Sequence, residues 1–290
     1  MIFVRLKGGL GNQLFQYATG LRLARKRNTN LKLDARVYEN DPLRFYALNV
    51  FNISARIATN EELLMIKPRR WSFKNLFQPK FNLKSSNPCL FLTEKHFHVA
   101  PEILEAPDNV YLDGYWQSEQ YFKNIEGIIR EEFSFKEPLE GKNKKMMEEI
   151  RNVVSVSLHI RRGDYVTNKA AQLVHGTCSL DYYARCAEII CTRRRNVRFY
   201  VFTDDPKWAA ENLRLPSAMT LVEGNQNSQS YKDLQLMSAC RDNIVANSSF
   251  SWWGAWLNPN PQKIVLAPKH WFITPKYNTA DLFPDNWQQI

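Results

Sequence analysis

Within six positions this chain carries His159, Arg161, Arg162 and Asp164, a set suited to binding an anion. They end the run Val153-Val154-Ser155-Val156-Ser157-Leu158-His159-Ile160-Arg161-Arg162-Gly163-Asp164-Tyr165, which starts as an apolar strand. Side chains alternate along a strand, so Val154, Val156, Leu158 and Ile160 share one face. Ser155, Ser157, His159 and Arg161 share the other. Adjacent arginines at the carboxyl end of a buried strand are costly unless something anionic meets them. The planar fork of arginine matches two phosphate oxygens at once, and ligands of open α/β sheets bind at such strand ends. The competing explanation is an internal Arg–Asp pair in a loop. The clustering favours a diphosphate on Arg161, with Arg162 turned to the opposite face and paired with Asp164.

Other strand ends add to this. Thr203-Asp204-Asp205-Pro206 closes an expected strand, Val197–Thr203. Asn247-Ser248-Ser249-Phe250-Ser251 follows the strand 243–246 and precedes the helix 252–257, and a helix start binds phosphate. Asp233, on the helix 231–239, can accept two bonds from guanine N1 and N2; adenine lacks that exocyclic amine. Its plainer role is a helix-surface acid. Gly8, Gly9 and Gly11 lie between the strand 2–6 and the helix 12–27, where glycine lets backbone approach a ligand. Asn12 then faces the cleft or merely caps the helix. Tyr115 and Trp116 could stack on a sugar or pack as core. There is no Asp-x-Asp pair to hold a metal; Asp204 and Asp205 are adjacent and diverge.

Strands at 2–6, 31–34, 110–112, 153–160, 197–203, 219–222, 243–246 and 263–266 alternate with helices, including one long helix expected over 119–133. This pattern means parallel sheets covered by helices on both faces. Residues 36–100 read as loops and short helices, with Arg69-Arg70-Trp71, Phe73, Phe77 and Phe81 among Pro68, Pro79 and Pro88. Glu137-Pro138 to Gly141 is the expected linker.

With 290 residues and 44% hydrophobic content the chain is a globular protein of one large or two ordinary domains. A net charge of +10 favours anionic partners, although clusters such as Arg193-Arg194-Arg195 and Lys142 to Lys145 fit helix ends. Five cysteines without a C-x-x-C pair point to reduced thiols. No secretory signal and no apolar run near ~18 residues is present.

The motif His-Ile-Arg-Arg-Gly-Asp-Tyr resembles the His-x-Arg-Arg-x-Asp signature of the α-1,2-fucosyltransferases of glycosyltransferase family 11. Gly8 to Ala18, Gly114-Tyr115-Trp116-Gln117-Ser118-Glu119 and Asn247 to Gly254 resemble the same family, in order. The resemblance implies a GT-B-like α/β fold with two Rossmann-like domains facing a cleft. Residues 1–140 would be the acceptor-side domain and 141–290 the GDP-fucose-binding domain. It implies inverting transfer of L-fucose from GDP-β-L-fucose to the 2-OH of a terminal galactose, without metal or other cofactor. Expected catalytic residues are Arg161, Asp164 and Asn12. The donor would lie on Gly9, Gly11, Asn12, His159, Arg161, Asp204, Asp205, Asp233, Asn247, Ser248, Ser249, Phe250 and Ser251. Acceptor contacts are expected from Tyr115, Trp116 and Glu119, and Asp164, Glu119 and His175 are candidate bases. Animal members are Golgi-anchored, so a chain without an anchor reads as bacterial and cytoplasmic. Its charge suggests peripheral contact with anionic membrane, where a lipid-linked acceptor of surface-glycan synthesis would be presented.

Two rivals follow from the same residues. Gly9-Leu10-Gly11 before Leu14 is an imperfect G-x-G-x-x-G, with Asp34 near the place of a ribose-binding acid, as in an NAD(P)-dependent oxidoreductase. The charge alone would suit a basic glycan- or nucleic-acid-binding protein.

Overall fold

Apolar runs buried on both faces become the central strands of two parallel sheets. A computed structural model describes residues 1–66 and 89–290, so the aromatic and basic stretch from Pro68 to Pro88 lies outside the described residues. Strands β1 (Ile2–Arg5), β2 (Leu31–Asp34), β3 (Arg56–Ile57), β4 (Leu90–Thr93) and β5 (Val110–Asp113) form the first sheet, in the order β3-β2-β1-β5-β4. Strands β6 (Val154–Ile160), β7 (Val197–Thr203), β8 (Met219–Val222), β9 (Asp242–Ile244), β10 (Val265–Ala267) and β11 (Gln288–Gln289) form the second, in the order β11-β10-β9-β6-β7-β8. All pairings are parallel; Ile2 sits between Leu31 and Val110, and Val156 between Phe199 and Asp242.

Each sheet reverses direction beside its first strand: the chain steps outward from β1 or β6, then returns to the other side. The carboxyl ends of β1/β5 and β6/β9 are therefore the topological switch points, where such sheets hold ligands. The face alternation expected for β6 is present. Val156, Leu158 and Ile160 pack with Cys186, Ala187 and Ile190 of the helix Leu180–Arg193. On the other face the Ser157 hydroxyl accepts from Asn243 Nδ2 at 2.7 Å.

The expected helix over 119–133 is broken. It forms short 3-10 turns at Glu119–Tyr121 and Lys123–Ile125, then the helix Glu126–Glu132. Phe122 leaves helical geometry (φ −140°) and lays its ring 5.4 Å from that of Trp253. Phe15 of the first helix, Leu10–Lys26, meets Trp252 and Trp253 at 4.5 and 4.9 Å. Those tryptophans belong to the helix Ser249–Leu257, so the first sheet's core continues into a helix that follows β9. Each such buried side chain stabilises the fold by about 1.5–3 kcal/mol. Ser118 Oγ also donates to the Asp281 carbonyl, drawing the last segment back to the first sheet. We propose 1–140 and 141–290 as the two domains, joined through this shared core. Among the described residues no helix is long and apolar enough to cross a membrane, and all five cysteines are free thiols.

Candidate active site

Both switch points open on one cavity of about 1500 Å³. Small-ligand clefts commonly measure about 300–1,000 Å³, so this one has room for two substrates.

Arg161 follows the last residue of β6. Its Nη1 lies 2.8 Å from Asp204 Oδ2 at the end of β7, and its Nη2 bonds Asp164 Oδ1. Burial pulls the guanidinium down, but Asp204 and Asp164 outweigh it and hold Arg161 above its ordinary range. Asp204 Oδ1 accepts from the Arg162 backbone amide at 2.8 Å, fixing the loop that carries both arginines. Arg162 does not pair with Asp164, because Asp164 is occupied by Arg161 and by Arg44 at 2.8 Å. Arg162 instead bonds Asp205 at 3.1 Å and lies 3.9 Å over the Trp208 ring.

His159, two residues earlier on the same face, is buried on the cavity wall, and its Nδ1 has no partner among the described residues. Burial, then the Arg161 charge, pushes it down to about 3, so the imidazole is neutral. The helix Ser249–Leu257 begins beside it, and no side chain caps that start. A helix start without a cap presents amide donors to an anion.

Asp233 lies on the cavity wall together with Gly224, Asn225 and Ser230. It accepts one side-chain bond, from Asn225 Nδ2 at 2.7 Å, and Asn225 is braced by Asn143 at 2.8 and 3.0 Å. Burial drives Asp233 up to about 7 despite that bond and the nearby Lys142 charge. This carboxylate lacks the donors that would stabilise its charge.

The first sheet supplies the opposite wall. Gly8 turns with φ +78°, a left-handed conformation that favours glycine. At Gly11 a Cβ would come within 2.4 Å of the Ser249–Phe250 backbone. This glycine makes room for the helix start that follows β9. Asn12 does not cap its helix, which begins two residues earlier. Its Oδ1 accepts from Gln117 Nε2 and from Ser249 Oγ, both at 2.8 Å, and so ties the two switch points together. Asp113, at the end of β5, accepts from Arg5 and Lys7 at 2.9 and 2.7 Å, and Lys7 sits 4.8 Å over the Tyr115 ring. Glu94 beyond β4 accepts from the amides of Tyr115 and Trp116, and burial still raises it. An aromatic wall runs from Tyr165, stacked on His175 at 4.5 Å, through Phe272 at 5.3 Å to Phe97 and Tyr277 at 5.0 and 4.6 Å.

The structure thus brings Gly9, Gly11, Asn12, Tyr115, His159, Arg161, Asp164, Asp204, Asp233, Ser248, Ser249 and Phe250 to the cavity. It does not bring Asp205, Asn247, Ser251, Trp116 or Glu119 there. Asp205 caps the helix Pro206–Asn212. Asn247 Nδ2 donates to the carbonyls of His175, Gly176 and Trp271, and Ser251 Oγ bonds Ser248 and Ala246. Trp116 is wholly buried, and Glu119 accepts from Trp256 at 3.1 Å and pairs with Lys123. Asp34 is bonded by Arg36 and by Tyr111 at 2.7 Å and does not line the cavity, which removes the ribose contact of the oxidoreductase reading. Arg44, Glu94, Asn225 and Phe272 line the cavity without having been singled out from the sequence, and Gln117 entered there only as part of a family-like stretch. Glu94 ends the alternating run Leu90-Phe91-Leu92-Thr93, a signal that was available; the loop holding Arg44 has no periodicity. Among the described residues no group of three His, Cys, Asp or Glu side chains is placed to hold a metal.

The sequence model described as glycosyl transferase family 11 matches residues 1–290. An alpha-1,2-colitosyltransferase of Escherichia coli is 35% identical over 297 residues, covering 100% of this chain and 99% of the relative. The O-antigen biosynthesis glycosyltransferase WbnK of Escherichia coli is 35% identical, with 97% and 98% covered. Among solved structures, NodZ alpha-1,6-fucosyltransferase soaked with GDP-fucose superposes with a TM-score of 0.51 at 16% identity, covering 89% of this chain and 92% of that one. That likeness speaks for a shared GT-B architecture.

Proposed function

The chain belongs to glycosyltransferase family 11, and from that premise we propose that it is an inverting galactoside α-1,2-fucosyltransferase using GDP-β-L-fucose. One observation carries the reading. At one switch point a half-buried arginine and an uncapped helix start stand together, and a carboxylate short of donors lies on the same cavity. A guanine nucleotide diphosphate supplies what each lacks: phosphate oxygens for Arg161 and the helix amides, N1–H and N2–H for Asp233.

The reaction then runs without a step through a metal. The acceptor 2-OH attacks C1 of fucose from the face opposite the diphosphate. The C1–O bond breaks and its electron pair moves onto the β-phosphate. Arg161 and the amides of the Ser249 helix start neutralise that charge as it grows, which is the moment at which such contacts lower the barrier. The proton of the attacking hydroxyl needs an acceptor. Glu119 is off the cavity, and both oxygens of Asp164 accept from arginines. His175 lines the cavity, and burial lowers it, favouring the neutral form that can accept a proton. We assign the proton to His175 and the acceptor glycan to the aromatic wall beside it.

Labelled GDP-fucose incubated with a panel of galactosides and excess chelator tests this. Transfer to galactose-terminated acceptors, undiminished by chelator, is expected. Loss of turnover in EDTA, restored by manganese or magnesium, would overturn the metal-free course. The 35% identity to a colitosyltransferase favours one second reading, in which the sugar is colitose, the 3-deoxy counterpart of L-fucose. Competition between the two GDP-sugars decides it: preference for GDP-colitose would replace fucose as the donor sugar.

A further inference from the structure

We propose that Arg44 is a second diphosphate ligand, delivered by the first domain to a nucleotide held by the second. The inference rests on the donor assignment above.

Charge counting motivates it. Arg161 is flanked by two carboxylates, Asp164 and Asp204, so this triad alone carries an excess negative charge. A diphosphate that gains charge as its bond breaks would meet repulsion there. Arg44 is the group that corrects the balance. Its Nη2 lies 2.8 Å from Asp164 Oδ2, while the other oxygen of Asp164 holds Arg161. One carboxylate thus orients two guanidinium groups from opposite domains at the wall of the same cavity. Two forks so arranged can divide the oxygens of a diphosphate between them.

The loop is built to hold Arg44 there. Asp41 Oδ1 accepts from the amides of Leu43 and Arg44 at 2.9 and 3.0 Å, a local turn that fixes the backbone at the arginine. Gln13, fully buried on the first helix, donates to the Phe45 and Gly8 carbonyls and accepts from the Ala47 amide at 2.9 Å. This side chain locks the arginine loop to the glycine turn. A Cβ on Gly9 would lie 3.8 Å from Arg44 Nη1, so the guanidinium stands directly over that turn.

The remaining donors of Arg44 separate it from structural arginines. Arg194 commits Nε and Nη2 to Asp242 and Nη2 again to the Gln262 carbonyl. In Arg44 only Nη2 is bonded among the described residues, and about a third of its side chain is exposed, at 35%. A plain strap between domains would have no need of such open donors on a cavity.

Calorimetric titration of GDP, GMP and guanosine into the wild-type protein, Arg44→Ala and Arg44→Lys tests the assignment. Thermal melts and initial rates of GDP-fucose consumption run alongside. For Arg44→Ala we expect GDP affinity to fall about 10- to 100-fold, the range for a lost charge-assisted bond. Guanosine affinity should stay within about twofold, with melting nearly unchanged. Arg44→Lys should recover part of the GDP affinity, since charge returns without the fork. GDP affinity and turnover near wild type in both variants would overturn the proposal. So would equal losses for GDP and guanosine, or a lowered melting point with the GDP-to-guanosine ratio unchanged, either of which marks a strap between domains. Absence of GDP binding by the wild-type protein would instead overturn the donor assignment.

Discussion

The two switch points of this molecule are built alike and finished differently. At the first, between β1 and β5, the charged groups satisfy one another: Asp113 holds Arg5 and Lys7, Lys7 rests on Tyr115, and Glu94 takes the amides of Tyr115 and Trp116; only the neutral Trp116 Nε1 and Gln117 Oε1 there lack partners among the described residues. At the second, between β6 and β9, partners are missing. Among the described residues the His159 Nδ1 is orphaned and the helix start at Ser249 is uncapped, while Asp233, elsewhere on the same cavity wall and raised by burial to about 7, accepts one side-chain bond. Buried polar groups without partners cost stability, and at the second point one stands beside an arginine and an open helix start, the set that an anionic ligand would complete.

Breaking the second point should have the largest effect. Arg161→Ala and Arg161→Lys should each lose on the order of 10²–10³ in kcat, with a smaller loss in GDP-fucose affinity. Steady-state rates with a saturating acceptor check this; a variant with near wild-type kcat would remove Arg161 from the reaction, and one that fails to fold would make it a structural ion pair.

Asp233→Asn comes next. Losing the charge opposite two guanine donors should weaken GDP binding by roughly 10- to 100-fold, at about 1.5–3 kcal/mol per charge-assisted bond. Unchanged affinity by calorimetry would take Asp233 out of the nucleotide site.

The same residue gives a pH dependence with a definite sign. Burial raises Asp233 from 3.8 to about 7, so any stability it contributes to the free protein is full below 3.8 and lost as pH rises through about 7. GDP needs the ionised form, so affinity should rise with pH up to about 7 and level off above. GDP phosphate ionises nearby, so the readout is the difference between wild type and Asp233→Asn. A difference that is flat between pH 5.5 and 8.5 would contradict the raised carboxylate.

The smallest effect belongs to the charge-paired first point. Lys7→Met removes a partly exposed ion pair with Asp113, worth about 0.2–1 kcal/mol, and should lower Tm by no more than about 2–4 °C. GDP affinity should stay within about twofold. A GDP loss as large as that of Asp233→Asn would erase the distinction between the two points.

The second sheet was far more legible than the first. β7 and β8 match their expected bounds, because long or well-bounded apolar runs admit few alternatives. β3, β4 and β11 were missed: they are edge strands of two to four residues with exposed positions, too short for a period to show. The break at Phe122 follows from contacts with tryptophans 131 and more residues away, which no local pattern records. The site divides in the same way. Arg161, His159 and Ser249 were readable because a strand end and a helix start fix where they point. Trp116 and Glu119 were misplaced because aromatics and acids serve a core or a cleft equally well until burial is known. Arg44 was invisible because a buried glutamine on another element holds its loop.

The central claim, α-1,2 transfer of L-fucose from GDP-fucose to galactose, is tested most directly by solving the product. The protein is incubated with GDP-β-L-fucose and a galactose-terminated oligosaccharide, and the new linkage is determined by NMR. The account predicts a single α-linked fucose on the 2-OH of the terminal galactose. A β-linked product, fucose on another hydroxyl or another sugar, or intact GDP-fucose after prolonged incubation with every galactoside tried would contradict it.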